Sequence, residues 1–112
     1  MEDRGPQRLL ALAYGNHPKS AALKPEAVKV IRTLRESPKK IEELAAVLGL
    51  DLAAAADRKH FYVLMRPMRD MGMVATRRLE GKRVYYLSSD GFNQYLKEIR
   101  KEAEYWLATP TA

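Results

Sequence analysis

The stretch FYVLMRPMRDMGMV, from Phe61 to Val74, contains one helical pattern that stops at a glycine. Its large apolar side chains recur at the spacing of a buried helical stripe: Phe61, Leu64, Met65, Met68 and Met71. Basic and aromatic side chains share another face of the same helix: Lys59, Tyr62, Arg66 and Arg69. The pattern predicts a helix that packs on one side and stays solvated and cationic on the other.

Pro67 lies inside this helical pattern. It cannot donate the backbone hydrogen bond to the carbonyl of Val63, which predicts a kink or a break into two segments. We predict that this helix, the third of the chain, is capped by Asp51, runs to about Met71 and ends at Gly72.

After Gly72 the pattern becomes that of β-strands. MVATRRLEGKRVYYLS is rich in β-branched and aromatic residues around an EG turn signal, which predicts a hairpin. With a two-residue turn, Arg78 faces Arg83, and Val74 and Leu87 lie on the same side nearer the core. Directly opposed like charges destabilise a hairpin unless an anion lies beside them. The pair therefore indicates a phosphate-contacting tip, unless a different turn length separates the two arginines.

Two shorter helical patterns precede the third helix. LKPEAVKVIRTLRES predicts helix 1 from Pro25 to Glu36, with the proline at its first position. IEELAAVLGL predicts a short helix 2 that stops at Gly49. The residues of helix 2 that should point inward are Ile41, Leu44, Ala45 and Leu48. Residues 1–24 are only loosely patterned, and we assign them to an N-terminal extension.

The stretch SDGFNQYLKEIRKEAEYWL predicts a last helix within residues 89–107, capped by Ser89 or Asp90, and a tail at 108–112. Its apolar residues follow at intervals of four, three, four and three, the spacing of a coiled-coil seam: Phe92, Leu96, Ile99, Ala103 and Trp106. The seam is too short to establish a coiled coil from pattern alone. It indicates a dimer interface, which we favour, or packing of the helix on its own domain.

The net charge of +6 is concentrated in one segment. From Arg58 to Arg83, eight bases minus two acids give +6, the whole excess of the chain. The bases are Arg58, Lys59, Arg66, Arg69, Arg77, Arg78, Lys82 and Arg83. Such a segment favours a polyanionic partner, although a charge run by itself is equally consistent with a solvated surface.

Other classes of function find little support in the residues. The chain has no cysteine, which excludes disulfides and thiolate metal sites. His17 and His60 are too few and too separated for a metal site. The adjacent Glu42 and Glu43 point in different directions on a helix, so they do not form an acid–base pair. We expect no enzyme, no cofactor and no metal.

The opening MEDRGPQRLLALAYG has an apolar run too short for a membrane span and lacks the pattern of a signal peptide. We therefore expect a soluble cytoplasmic protein with no membrane partner. Asparagine and glutamine total only four, a scarcity seen in thermophiles.

In order, the predicted helix, short helix, long helix and basic hairpin resemble the winged helix-turn-helix domain of prokaryotic, especially archaeal, transcriptional regulators. The resemblance covers about residues 25–88. It rests on IEELAAVLGL for the first helix of the motif, FYVLMRPMRDMGMV for the end of the recognition helix and TRRLEGKRVYYLS for the wing. It implies a mostly helical α+β fold with one small β-hairpin and an extra C-terminal helix.

The resemblance also implies double-stranded DNA as the partner, with the recognition helix in the major groove and the wing at a neighbouring minor groove or backbone. The implied groove-facing residues are Arg58, Lys59 and Tyr62, and the implied wing contacts are Arg77, Arg78, Lys82 and Arg83. Arg66 and Arg69, beside Pro67, would lie nearer the phosphates. LDLAAAADRKH is longer and richer in alanine than the usual turn of the family, so base readout would rest on few side chains.

These expectations describe a homodimeric transcriptional regulator associated with the nucleoid. Two alternatives stay open at this point: an architectural DNA-binding protein with little sequence preference, and a winged-helix module that docks on other proteins. The residues do not indicate an effector ligand or an operator sequence.

Overall fold

The computed structural model describes residues 5–15 and 18–109. Within these residues it has five helices and one two-stranded antiparallel sheet. The elements are α1 (Gln7–Tyr14), α2 (Pro18–Glu36), α3 (Ile41–Leu48), α4 (Ala55–Asp70), β1 (Val74–Leu79), β2 (Lys82–Leu87) and α5 (Ser89–Trp106). The predicted class, mostly helical α+β with a small hairpin, is confirmed.

The N-terminal region differs most from the prediction. Helix 1 was expected to begin at Pro25, but α2 begins at Pro18 and contains Pro25 in its interior. The side chain of Pro25 is exposed, and an exposed proline can be accommodated inside a helix at the loss of one backbone hydrogen bond. The unpredicted α1 buries Leu10 and Tyr14 in the core. α1 and the start of α2 therefore contribute to the same core as the helices that follow them.

The Tyr14 hydroxyl joins α1 to the middle of α4, because it donates a hydrogen bond to the carbonyl of Leu64. Burial, with a smaller contribution from Glu26, raises the pKa of this phenol. The contact lies beside the interruption caused by Pro67, which leaves the carbonyl of Val63 without its helical donor. Val63 is 48% exposed, so water can reach this side of the helix. The helix continues through Pro67 to Asp70, so of the two predicted outcomes, a kink or a break into two segments, the break is wrong.

The start of α4 also differs from the prediction. The helix begins at Ala55, and no side chain caps it. Asp51 instead shapes the preceding turn: its Oδ1 accepts from the amide of Ala53 at 3.0 Å, and its own amide donates to Asp57 Oδ2 at 2.8 Å. At the other end the prediction is confirmed, since Gly72 follows the helix with φ of +73°.

The core lies where α2, α3, α4 and the hairpin meet. The predicted buried stripe of α4 is confirmed, with four residues fully buried and the fifth packed against them: Phe61, Leu64, Met65, Met68 and Met71. Helix 2 of the prediction corresponds to α3, which buries Leu44 and Ala45. It ends at Gly49, whose φ of +71° is the left-handed conformation expected after a helix.

The hairpin has the two-residue turn on which the predicted register depends. Glu80 and Gly81 both have positive φ, +52° and +79°, as a type I′ turn requires. Arg78 therefore pairs directly with Arg83 across the strands. The alternative of a turn length that separates the two arginines is excluded.

The base of the hairpin is fixed to the rest of the fold. Val74 is buried and pairs with Leu87, as predicted. On its other edge β2 is bridged by Lys39, which exchanges two backbone hydrogen bonds with Tyr85, of 3.0 and 2.7 Å. The loop before α3 thus acts as a third, single-residue strand and holds the hairpin beside α3.

The last helix, α5, is capped one residue earlier than predicted. The Oγ of Ser88, rather than of Ser89, accepts from the amide of Gly91 at 2.8 Å. No residue of α5 is buried, although Phe92 packs against the core. The described structure measures 60 × 37 × 36 Å along its principal axes. A helix of this length spans about 27 Å.

Two glycines form a close backbone contact between the end of α4 and the start of α5. A Cβ added to Gly72 would lie 2.4 Å from the carbonyl oxygen of Gly91, and a Cβ on Gly91 would lie 2.5 Å from that of Gly72. No side chain fits at either position without displacing backbone. We call this contact the glycine crossing.

Candidate nucleic-acid interface

The cationic face of α4 is exposed, opposite the buried stripe, as the sequence predicted. It carries Lys59, Tyr62, Arg66 and Arg69. Tyr62 is 47% exposed, and its ring packs edge-on against the buried ring of Phe61 with 5.5 Å between centroids. The ring is thus supported by the core, while nearly half of the side chain stays accessible to a partner.

Arg58 is exposed but not free of contacts within the protein. Its Nη1 donates to the carbonyl of Leu52 at 3.2 Å, in the turn that precedes α4. Together with the bond from Asp51 to Asp57, this contact braces the turn. Sequence reasoning missed the bond, because it depends on the conformation of an alanine-rich loop that has no distinctive pattern.

The second half of α4 borders a shallow cleft of about 380 Å³, lined by Tyr62, Met65, Arg66, Arg69 and Asp70. The guanidinium of Arg69 lies over the ring of Tyr85 in β2, 5.9 Å from its centroid. Burial raises the pKa of Tyr85; the neighbouring Tyr62 raises it further, while Arg69 acts in the opposite direction. The outer face of α4 and the hairpin therefore form one continuous surface.

The hairpin presents four exposed cations: Arg77, Arg78, Lys82 and Arg83. Contacts within the hairpin position two of them. The guanidinium of Arg77 stacks over the ring of Tyr86, 5.0 Å from its centroid, and Nη1 of Arg78 donates to the carbonyl of Gly81 at 3.1 Å. The surface thus holds positive charge close to the turn even though Arg78 and Arg83 face each other.

A second open cleft, of about 620 Å³, separates the hairpin from the start of α3. Its lining residues are Lys40, Ile41, Glu42, Glu43, Lys82 and Arg83. The amide of Lys40 donates to Glu43 Oε1 at 2.9 Å, and Lys40 shares the lining of this cleft with Lys82 and Arg83 of the wing. Lys40 was not among the DNA-contacting residues predicted from the sequence. The sequence feature that could have identified it is its position directly before α3.

The apolar stripe predicted for the last helix is largely uncovered in the single chain. Leu96, Ile99 and Trp106 are 38%, 42% and 76% exposed, whereas Phe92 and Ala103 are partly buried. Tyr105 and Leu107, which lie off the stripe, are also exposed. The rings of Tyr105 and Trp106 pack edge to face at 4.9 Å. The end of α5 therefore presents a large apolar surface that no residue in the described ranges covers.

One of the two histidines, His60, contacts a carboxylate of a neighbouring helix. Nε2 of His60 in α4 lies 2.9 Å from Glu26 Oε1 in α2, while His17 falls outside the described residues. Among residues 5–15 and 18–109, no three histidine or acidic side chains are grouped so that they could hold a metal ion. In the same part of the chain, no helix is long and apolar enough to cross a membrane.

No protein-family model and no curated protein matches the sequence. Among solved structures, the chain is similar to the homodimeric winged helix-turn-helix DNA-binding domain of Mb0332 from Mycobacterium bovis, described as a possible ArsR-family transcriptional regulator. The TM-score is 0.50 at 15% identity, over 100% of this chain and 97% of that one. It is also similar to the transcriptional repressor BigR from Xylella fastidiosa, with a TM-score of 0.47 and 18% identity over 84% and 89% of the two chains. The first similarity shows a winged helix fold, as the sequence predicted.

Proposed function

We propose that this winged-helix protein is a homodimeric, DNA-binding transcriptional regulator that acts in the cytoplasm on the nucleoid. One observation carries the proposal: the basic side chains of the segment that holds the whole charge excess are exposed, on one continuous surface of α4 and the hairpin. In this proposal α4 enters the major groove, and the wing lies at the adjoining minor groove or backbone.

On α4, we assign groove contacts to Arg58, Lys59 and Tyr62, and phosphate contacts to Arg66 and Arg69. Because a guanidinium has five N–H donors, the bond from Arg58 to Leu52 leaves others available to a base or phosphate. On the wing, we assign phosphate or minor-groove contacts to Arg77, Arg78, Lys82 and Arg83.

The pairing of Arg78 with Arg83 supports an anionic partner at the wing. Like charges directly opposed across two strands destabilise the hairpin. A phosphate between or beside them would remove that repulsion. The cost to the free protein is then recovered in the complex, which increases the affinity for a polyanion.

We propose that α5 forms the dimer, through the stripe of Phe92, Leu96, Ile99, Ala103 and Trp106. An exposed apolar surface of this extent is typical of an interaction site. The similar domain from Mycobacterium bovis is described as homodimeric. A twofold protein would match two half-sites related by the same symmetry.

The rival within DNA binding is an architectural protein with little sequence preference. It is favoured by the entry to α4, where Ala53 to Ala56 are all exposed and offer bases no hydrogen-bonding side chain. The rival outside DNA binding is a docking module. Titration of random and genomic duplexes across a salt series separates the three: preference for some genomic fragments supports a regulator, equal binding an architectural protein, and no binding at low salt a docking module.

The wing assignment predicts the salt dependence of binding. Replacing Arg78 and Arg83 by alanine should weaken binding to all duplexes alike and reduce the slope of log K against log salt by about 0.9 for each lost phosphate contact. The free protein should become slightly more stable, because the repulsion between the two arginines is removed. A slope equal to that of the wild type would contradict the wing assignment.

The recognition-helix assignment predicts a loss that depends on sequence. Lys59→Ala should cost about 1 to 3 kcal/mol on a preferred duplex, if Lys59 contacts a guanine edge, and much less on an unrelated one. Arg66→Ala is the matched control on the same helix, since a phosphate contact should weaken both duplexes equally. An equal loss for Lys59→Ala on both duplexes would make it a backbone contact as well.

A further inference from the structure

The apex of the wing holds an unusual residue for its conformation. Glu80 is the only residue other than glycine with a positive φ in the described ranges 5–15 and 18–109. The first position of a type I′ turn strongly favours asparagine, aspartate or glycine. A glutamate there is disfavoured by local conformation, so turn formation does not explain its presence.

The carboxylate of Glu80 is also left unused by the cations around it. Four of them lie on the same hairpin, yet Glu80 forms no ion pair or hydrogen bond with any part of the chain that the structure describes. Arg78, two residues away, donates to the carbonyl of Gly81 instead. An exposed acceptor is therefore held at the outermost point of the wing, among side chains suited to phosphates.

A minor groove offers such an acceptor very few partners. A·T pairs present only acceptors there, adenine N3 and thymine O2, whereas G·C pairs add the donor of the guanine 2-amino group. A carboxylate that loses water without gaining a donor is strongly disfavoured. In a minor groove Glu80 would therefore reject A·T pairs and accept a hydrogen bond at G·C pairs.

We propose that Glu80 sets the sequence preference of the wing, by accepting a hydrogen bond from the guanine 2-amino group in the minor groove. The inference rests on the proposed DNA-binding function and adds to it a determinant of specificity. Arg77, Arg78, Lys82 and Arg83 supply attraction that is independent of sequence. Glu80 reduces that attraction wherever the groove floor lacks a donor, which is discrimination by rejection.

The test uses two pairs of duplexes, each duplex long enough for two half-sites. The members of a pair differ only in whether the purines carry the 2-amino group. A duplex rich in G·C is compared with the same duplex carrying inosine for guanine, which removes the amino group. A duplex rich in A·T is compared with the same duplex carrying 2,6-diaminopurine for adenine, which adds it. Dissociation constants are measured for wild type, Glu80→Gln and the control Glu36→Gln, which removes an exposed charge at the end of α2, outside the hairpin.

We expect wild type and Glu36→Gln to bind each duplex with the amino group about tenfold more tightly than its partner without it. Glu80→Gln should lose this preference, because its amide can donate to adenine N3 or thymine O2 as well as accept from guanine. Glu80→Gly, which suits the positive φ, should bind all four duplexes more tightly and alike.

Two results would overturn the inference while leaving DNA binding intact. One is equal affinity of the wild type within each pair of duplexes. The other is a gain of the same factor on all four duplexes in Glu80→Gln, which would mean that the carboxylate only repels phosphates. If wild type binds none of the duplexes at low salt, the proposed function fails and the inference falls with it.

Discussion

A chain that carries Ile99→Lys and Trp106→Glu is expected to be a folded monomer that binds two linked half-sites at least about 100-fold more weakly than the wild type. Both residues lie on the stripe proposed as the dimer interface, and in the single chain they are 42% and 76% exposed. Charges at these positions should therefore block association without disturbing the core. The net charge stays at +6, so general attraction to DNA is unchanged.

Sedimentation of both proteins, together with titration of one and two half-sites, measures this effect. The control exchanges Lys101 and Glu102, which are exposed on other sides of α5, and should leave both association and binding unchanged. A wild type that is monomeric at high concentration would end the dimer hypothesis. A double variant that unfolds would place the stripe in the core of its own domain.

The second large effect is expected at the glycine crossing. Gly72→Ala should lower the free energy of unfolding by about 3 kcal/mol, because a side chain at positive φ is strained and its Cβ would meet backbone. The φ is +73°, and the Cβ would lie 2.4 Å from the carbonyl oxygen of Gly91. Urea denaturation monitored by circular dichroism provides the measurement.

Gly49→Ala separates the two contributions to this cost. Gly49 has nearly the same φ, +71°, but an added Cβ there would meet no atom within 4 Å. Its replacement should therefore cost only the conformational strain, about 1 kcal/mol. If both variants lower the free energy of unfolding by the same amount, the close backbone contact contributes nothing to the cost of Gly72→Ala.

The hairpin and the buried face of α4 could be predicted because their causes are local. Gly81 marks the turn, and once the turn has two residues every pair in the ladder follows, including Arg78 with Arg83. In the same way, the apolar residues of α4 show the helical period without reference to any partner. Their exposed counterparts, among them Tyr62 and Arg66, follow from the same period.

The N-terminal region could not be predicted in this way, because its causes are distant in sequence. Tyr14 is held by the carbonyl of Leu64, a residue 50 positions away, and nothing near Tyr14 indicates that partner. Pro18 and Pro25 both occupy positions compatible with a first helical turn, and only packing decides which one is interior. The cap of α5 was misplaced for a simpler reason, since SSD offers three successive residues that can cap a helix.

The bond of Arg58 to Leu52 shows a related limit for the candidate site. Helical period places Arg58 at the start of the exposed face, but the direction of its side chain depends on the loop before α4. The sequence therefore predicts which cations of this surface are exposed. It does not predict which of their N–H groups already donate hydrogen bonds within the protein.

In the proposed dimer, the glycine crossing would set the distance between the two proposed recognition helices. Because backbone lies against backbone at the crossing, without an intervening side chain, we expect little freedom in the angle between α4 and α5. Over an arm of about 27 Å, a swing of about 10° would displace the far end by about 5 Å, more than the 3.4 Å rise of one base pair. The proposed dimer should therefore bind best to two half-sites separated by one particular spacer length.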